Sequence, residues 1–325
     1  MKINTKRKKI KLYVYPHAHS HAHDEDPTRD APERYIYRDT VPFSKLGIGR
    51  HCELVKPGEA EYFYMGQISD GVPTPAKESF TYLQDNEKRH ICDIEGDWLA
   101  RTIPKWLEEC TLTMNGVRKE YVERNISIFV RPTFTFLLMD IIKNNKQIKH
   151  TFNGNKVFGF KGHPDPLGVR YKMLKAFEIK KQKLNFDITF NNKWQARALP
   201  QSKIVSSYCK GLLNNTFSLC PRGTGVDTVR FFESCFFSRV PVVISDCQVY
   251  GHDFHLSNPF YFQISPNDSI EEMSNKFIKI QDTPIAELKK MSYNAKKYFE
   301  TRVRHYFEDP TLNCIQWLKG EKHGI

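Results

Sequence analysis

The chain has 325 residues, 40% of them hydrophobic and 13% aromatic, with 49 Lys and Arg against 37 Asp and Glu and a formal net charge of +12. This length exceeds one ordinary α/β domain and suits two with separate cores, and the apolar content excludes a disordered chain. No stretch reaches the roughly 20 apolar residues of a membrane-spanning helix; the longest runs, 134–139 and 240–244, have the length of buried core elements.

The first eleven residues are basic but lack the apolar stretch and small-residue cleavage site of a secretory signal. A strand is expected over 10–15, followed by a polar loop over 17–34 that contains Pro16-His-Ala-His-Ser-His-Ala-His-Asp-Glu-Asp-Pro27. Loops at the carboxyl ends of strands are where open α/β sheets hold ligands. Imidazole titrates near neutrality, so His19 and His21, or Asp24 if partly buried, are candidate proton acceptors. Alternating histidines on an extended segment also share a face and could bind zinc or nickel. The same tract also reads as a solvated loop, or its Asp-Glu-Asp as an Asp-x-Asp metal site.

Further along, strands are expected over 61–65 and 126–130, a helix-prone stretch over 76–92, a short helix over 104–110 and a helix over 134–144. Asp93-Ile-Glu-Gly-Asp97, beside Trp98, is an acidic cluster that could hold a sugar or furnish a base, or simply be a solvated turn. The Asn-, Lys- and Gln-rich run 143–155 reads as an interdomain linker. This gives domains over 1–150 and 151–300, with a helical segment over 301–325 that could return to the first domain.

The second half alternates strands (156–160, 186–190, 217–220, 240–244) with helices (170–183, 203–213, 227–237), the pattern of a parallel sheet. Helices over 269–280 and 285–304 close it, the latter introduced by Pro284. Eight cysteines without a Cys-x-x-Cys pair read as reduced, mostly buried thiols.

Most of the chain's usable chemistry lies between Phe217 and Asp246. Gly223 and Gly225 let backbone amides approach a ligand, and Asp227 or Thr228 can cap the helix that follows. A helix N-terminus there, with Arg222 before the turn and Arg230 inside the helix, favours an anion such as a diphosphate. Glu233, one turn beyond Arg230, could accept from ribose hydroxyls; Arg230 and Glu233 could equally be a surface ion pair. The spacing fits neither the phosphate loop of nucleotide hydrolases nor the Gly-x-Gly-x-x-Gly dinucleotide fingerprint, which disfavours a kinase or dehydrogenase. Asp246 ends the next strand, at the sheet edge where a base or a ligand would lie, and reads equally as an ordinary turn cap; His252 and Asp253 follow on the same loop.

Leu219-Cys-Pro-Arg-Gly-Thr-Gly-Val-Asp-Thr-Val-Arg-Phe-Phe-Glu233, followed by Arg239-Val-Pro-Val-Val-Ile-Ser-Asp246, resembles the C-terminal signature of the exostosin-like glycosyltransferases, family 47. Lys11-Leu-Tyr-Val-Tyr-Pro16, Lys56-Pro-Gly-Glu-Ala-Glu-Tyr-Phe-Tyr64 and Val157-Phe-Gly-Phe-Lys-Gly162 with Arg170 resemble further family elements in the same order. The resemblance spans about 11–260. It implies a GT-B α/β architecture of two facing Rossmann-like domains with a cleft between them, the acceptor held mainly by the first and the nucleotide sugar by the second. It also implies an inverting transfer from a UDP-sugar to a glycan hydroxyl, without a required metal or cofactor. Arg170, Arg222, Gly223, Thr224, Gly225, Thr228, Arg230, Glu233 and Asp246 would then form the donor site, with Glu233 on the ribose.

The family transfers several sugars; a neutral pentose such as xylose is the first expectation here, with galactose next. Anchored Golgi enzymes are usual in it, so this N-terminus points to a cytoplasmic enzyme of bacterial or viral type, or to a Golgi enzyme lacking its anchor. Peripheral membrane contact is compatible with the basic charge. Two rivals remain: a non-catalytic relative that binds nucleotide or sugar, and a nucleic-acid-binding protein. The second is disfavoured because lysines beyond 6–11 are interspersed with acids.

Overall fold

The structure, a computed structural model, describes residues 9–16, 43, 45–69, 74–95, 103–114, 119–132, 152–164, 168–190, 208–223, 228–245 and 252–321. By its contacts the chain divides into two units. One comprises Met1–Asn115, Tyr121–Arg131 and His305–Ile325; the other comprises Gly116–Glu120 and Pro132–Arg304.

In the first unit, strands β1 (Ile10–Val14), β2 (Cys52–Leu54), β3 (Tyr62–Ser69), β4 (His90–Glu95), β5 (Thr111–Met114) and β6 (Ile128–Val130) form one sheet, with helix α1 (Lys45–His51) leading into β2. The strand order is β2-β1-β3-β4-β5-β6 and every pairing is parallel. β1 lies between β2 and β3, so the winding reverses at the β1/β3 boundary, the position where doubly wound sheets hold ligands. The loop that leaves β1 there carries His19, His21 and Asp24, which lie outside the described residues.

The stretch 76–92, expected as helix, instead forms two 3₁₀ turns, Lys77–Ser79 and Glu87–Arg89, and then enters β4. Asp85 has a φ of 63°, in the left-handed region that ends a helix. Phe80 and Leu83 are buried, and the apolar spacing stops there until Ile91.

Two polar groups organise this core. His90 is fully buried, stacked on the Phe63 ring at 4.6 Å, with Nδ1 2.9 Å from the Asn86 carbonyl and Nε2 2.9 Å from the Tyr15 hydroxyl. Because only Nδ1–H can serve the carbonyl, Nε2 accepts from Tyr15, and both contacts suit the neutral ring. Burial holds this imidazole below its ordinary range near 6.5. The unfolded chain therefore takes the proton first, and the stability contribution, complete above about pH 6.5, declines as pH falls through the depressed folded value. Acidification from neutrality should lower Tm less steeply in His90→Gln than in the parent; parallel Tm curves would assign the effect to other groups.

The second is Asp93, buried in the middle of β4, which accepts from the Tyr64 hydroxyl at 2.7 Å and from the Thr113 hydroxyl. Chain residues 305–321 belong to the same unit and reach both β6 and α1. The Tyr306 and Trp317 rings lie 5.8 and 5.3 Å from Phe129. Asp309 caps the helix Pro310–Leu318 through the Leu312 amide and meets His51 Nε2 at 2.7 Å, at the end of α1.

The second unit repeats the winding. Its elements are β7 (Phe158–Gly162), α2 (Val169–Glu178), β8 (Phe186–Phe190), a helical segment at 208–213, β9 (Phe217–Pro221), α3 (Val229–Phe236), β10 (Val240–Ile244), β11 (Phe262–Ile264), α4 (Ile270–Asp282) and α5 (Ile285–Tyr298). The order is β11-β10-β9-β7-β8, again all parallel, with the reversal at β7/β9. One sheet face packs on α2 and α4 through Phe158, whose ring meets Phe177 edge-on at 5.2 Å and Phe277 edge-on at 5.4 Å; Phe177 and Phe277 stack on each other at 4.2 Å, and Phe158 stacks on Phe217 of β9 at 4.5 Å.

Helix α4 starts with a reciprocal Ser269/Glu272 capping box. The helix after Pro284 is α-helical to Tyr298 and π-helical over Phe299–Val303, within the span expected as one helix. Seven of the eight residues of α3 are buried. Arg239, 1% exposed, donates to the carbonyls of Leu213, Asn215 and Phe237, and burial lowers its guanidinium to about 10. It ties the entries of β9 and β10 together, a structural task for a signature residue.

No helix among the described residues is long and apolar enough to cross a membrane. Cys52, Cys92, Cys110, Cys220, Cys235 and Cys314 are free and buried, Cys209 is half-buried, and desolvation raises all seven thiols. At neutral pH they remain protonated and weakly nucleophilic.

A candidate anion site where the second sheet reverses

The paired residues of β7 and β9 are Phe158 with Phe217 and Gly159 with Ser218. Beyond them the two strands carry Lys161–His163 and Pro221–Gly223 outward at their carboxyl ends, on either side of the reversal. Doubly wound sheets hold their ligands in that crevice.

Two arginines converge there on one ring. Arg170, in the first turn of α2, holds its guanidinium 5.6 Å from the Phe160 centroid and donates from Nη1 to the His163 carbonyl at 2.6 Å. Arg230, 8% exposed in the first turn of α3, lies 4.7 Å from the same centroid and 5.0 Å from that of Tyr208, and donates from Nη2 to the Lys161 carbonyl. The flat guanidinium suits such stacking, which fixes its plane.

Gly223 closes the other side: a Cβ built on it would come 3.0 Å from Arg170 Nη2. The Arg222 amide donates to the Ile244 carbonyl at 3.1 Å, which fixes the turn as it leaves the sheet. Thr228, extended at φ −141° and ψ 117°, is the N-cap of α3, and its carbonyl accepts from the Phe231 amide at 3.0 Å. The helix thus begins at Val229 and points its amino end toward the crevice residues.

Glu233 is fully buried and accepts a hydrogen bond from the Tyr208 hydroxyl. Arg230 and Glu233 are therefore interior groups, which removes the surface-ion-pair alternative. Burial, then the nearby Glu233 charge, drive the Tyr208 hydroxyl well above its usual range of 10 against the opposing Arg230, so the phenol stays a donor. A polar cavity of about 280 Å³ adjoins Tyr208 and Arg230, lined also by Lys161, Asp187, Asn215 and Ser218.

Of the residues expected in a donor site, Arg170, Gly223 and Arg230 come together around Phe160, while Glu233 sits on the inner side with Tyr208. Thr224, Gly225, Asp227 and Asp246 lie outside the described residues, as do Asp97 and Trp98. His252 opens the helix His252–Ser257, and the side chains of His252 and Asp253 are likewise outside the described set. Asp93 is neither a solvated turn nor an accessible base, since its carboxylate is sealed in β4. Sequence reasoning overlooked Phe160 and Tyr208. The first had a signal in Phe158-Gly-Phe160, an aromatic pair on the core face of a strand; the second had none, since its role depends on a partner 25 residues away.

No family model matches the chain, and no curated protein matches it. Solved structures with a loose likeness include sucrose-phosphate synthase from Thermosynechococcus elongatus, at 9% identity and a TM-score of 0.46 over 97% of this chain and 99% of that one. WaaG, a glycosyltransferase involved in lipopolysaccharide biosynthesis, aligns at 11% identity and a TM-score of 0.40 over 96% and 100% of the two chains. A TarM mutant of S. aureus, in complex with fondaparinux, α-GlcNAc-glycerol and UDP, aligns at 13% identity and a TM-score of 0.36; 72% of this chain is covered, and it spans 57% of the length of TarM. These identities and scores carry no residue roles across. In class the fold is GT-B, on the strength of two Rossmann-like units, each built on its own all-parallel sheet.

Proposed function

We propose that the protein is a UDP-sugar-dependent glycosyltransferase of the exostosin-like type. The observation that carries the proposal is the convergence of Arg170 and Arg230 on Phe160 at the carboxyl ends of β7 and β9, with Gly223 against Arg170 and the amino end of α3 beside them. Fixed guanidinium groups and helix amides suit a pyrophosphate, and Glu233 suits the hydroxyls of a ribose.

In the proposed reaction the acceptor hydroxyl attacks the anomeric carbon and displaces UDP with inversion. Arg222, Gly223, Thr228 and Arg230, with Arg170 as a further contact, hold the leaving diphosphate; Thr224 and Gly225 belong to the same donor site, and the positive field of the arginines and the helix dipole replaces a divalent ion. The proton passes to a general base, for which His19, His21 and Asp24 are the candidates, and Asp246 is a further candidate for the donor site. Xylose is the first donor sugar to try and galactose the second.

The test is thermal-shift titration with UDP, UDP-xylose and UDP-galactose, with and without EDTA. UDP should raise Tm in a concentration-dependent way that survives chelation. Loss of the shift in EDTA would replace the metal-independent mechanism with a metal-assisted one, and no shift with any uridine nucleotide would overturn the assignment.

A further inference from the structure

Glu233 has no exposed surface, and one of its oxygens already accepts from Tyr208. A ribose can therefore reach this carboxylate only if a neighbour gives way. Tyr208, by contrast, is half-buried: it lines the polar cavity and donates its hydroxyl to Glu233. A phenol O–H donating to a carboxylate is the same contact, chemically, that a ribose O–H would make. We infer that Tyr208 is an internal stand-in for the ribose, a gate whose hydroxyl holds Glu233 until it is exchanged for a sugar hydroxyl when a nucleoside diphosphate binds.

Three features support an exchange rather than a fixed structural bond. Raised well above its usual range, the phenol keeps its proton at any physiological pH, so it remains the donor until displaced. The cavity of about 280 Å³ beside it gives the ring a place to move. And the ring is stacked under Arg230, at 5.0 Å, so its displacement would also alter the guanidinium proposed to meet the diphosphate. Ribose recognition and phosphate recognition are thereby coupled through one side chain.

The inference rests on the nucleotide reading given above. It is tested with Tyr208→Phe, which deletes the competing hydroxyl but keeps the ring under Arg230. Calorimetry would compare UDP, 2′,3′-dideoxy-UDP, which lacks both ribose hydroxyls, and inorganic pyrophosphate. Removing an internal competitor worth one net hydrogen bond should tighten UDP about fivefold and leave the other two probes unchanged. The ligand-free variant should unfold at a lower temperature, since Glu233 loses a buried donor, and UDP should restore more Tm than in the parent. In a Glu233→Gln background, Tyr208→Phe should no longer change UDP affinity.

Unchanged or weakened UDP binding in Tyr208→Phe, while the parent binds UDP and Arg230→Ala does not, overturns the gate and leaves the nucleotide site standing. Equal tightening of UDP and its dideoxy analogue overturns it too, because the gain would then lie outside the ribose. A parent that binds no UDP removes both conclusions.

Discussion

Arg230→Ala is expected to weaken UDP binding about a hundredfold, the loss of roughly two charge-assisted contacts at about 1.5 kcal/mol each. The expectation comes from how the guanidinium is held. It is 8% exposed, stacked between Phe160 and Tyr208, and tied by one N–H to the Lys161 carbonyl. Most of the entropy of ordering a long cation has therefore been lost on folding, before any ligand arrives. Arg230→Lys should recover little of the affinity, because an ammonium neither stacks between two rings nor offers two parallel donors.

Arg170→Ala should cost less, about tenfold, since Arg170 is half-buried where Arg230 is 8% exposed and packed between two rings. Calorimetry on the three variants, with circular dichroism to confirm folding, checks the order. Equal losses for Arg170→Ala and Arg230→Ala would mean that the diphosphate sits symmetrically over Phe160. Undiminished affinity in Arg230→Ala would move the nucleotide out of this crevice.

How much of this was legible beforehand follows from where each interaction partner lies in the sequence. The second unit was readable because its strand, turn and helix are consecutive. The apolar run Phe217–Cys220, the glycine at 223 and the arginine at 230 fall in one window, and β8 and β10 have the expected boundaries. Arg239 looked like part of that signature and proved to be a buried tie between loops, because its three carbonyl partners come from two different connections.

The first unit was harder. β4 was missed because His90 and Asp93 interrupt its apolar pattern, and only the folded chain supplies Tyr15, Asn86, Tyr64 and Thr113 as their partners. The stretch 76–92 reads as helix-prone, and the left-handed Asp85 in its middle breaks it into two 3₁₀ turns. Tyr208 is the clearest case of a site residue without a sequence signature. Nothing near position 208 marks it, and its meaning appears only when the helical segment 208–213 lies against α3 and its hydroxyl reaches Glu233.

Asp93→Ala should destabilise the protein by about 3–5 kcal/mol, the penalty for breaking a buried charged network by removing one partner. In the native chain the carboxylate lies in the central part of the sheet and takes hydrogen bonds from Tyr64 on β3 and Thr113 on β5, so that one side chain links three neighbouring strands. Alanine leaves two buried hydroxyls without that acceptor. It also removes a negative charge from the neighbourhood of Arg131, which follows β6, is 3% exposed and donates to the Ile94 carbonyl at 2.6 Å.

Asp93→Asn should fall between the parent and alanine, because its carbonyl can accept from one hydroxyl while its NH₂ faces a donor. Urea denaturation of the three proteins checks the ranking. The same comparison separates structure from catalysis: if Asp93 works only as a cross-strand tie, folded Asp93→Asn keeps the UDP affinity of the parent while its unfolding midpoint drops. A parent-like midpoint with weakened UDP binding would return Asp93 to the list of functional groups.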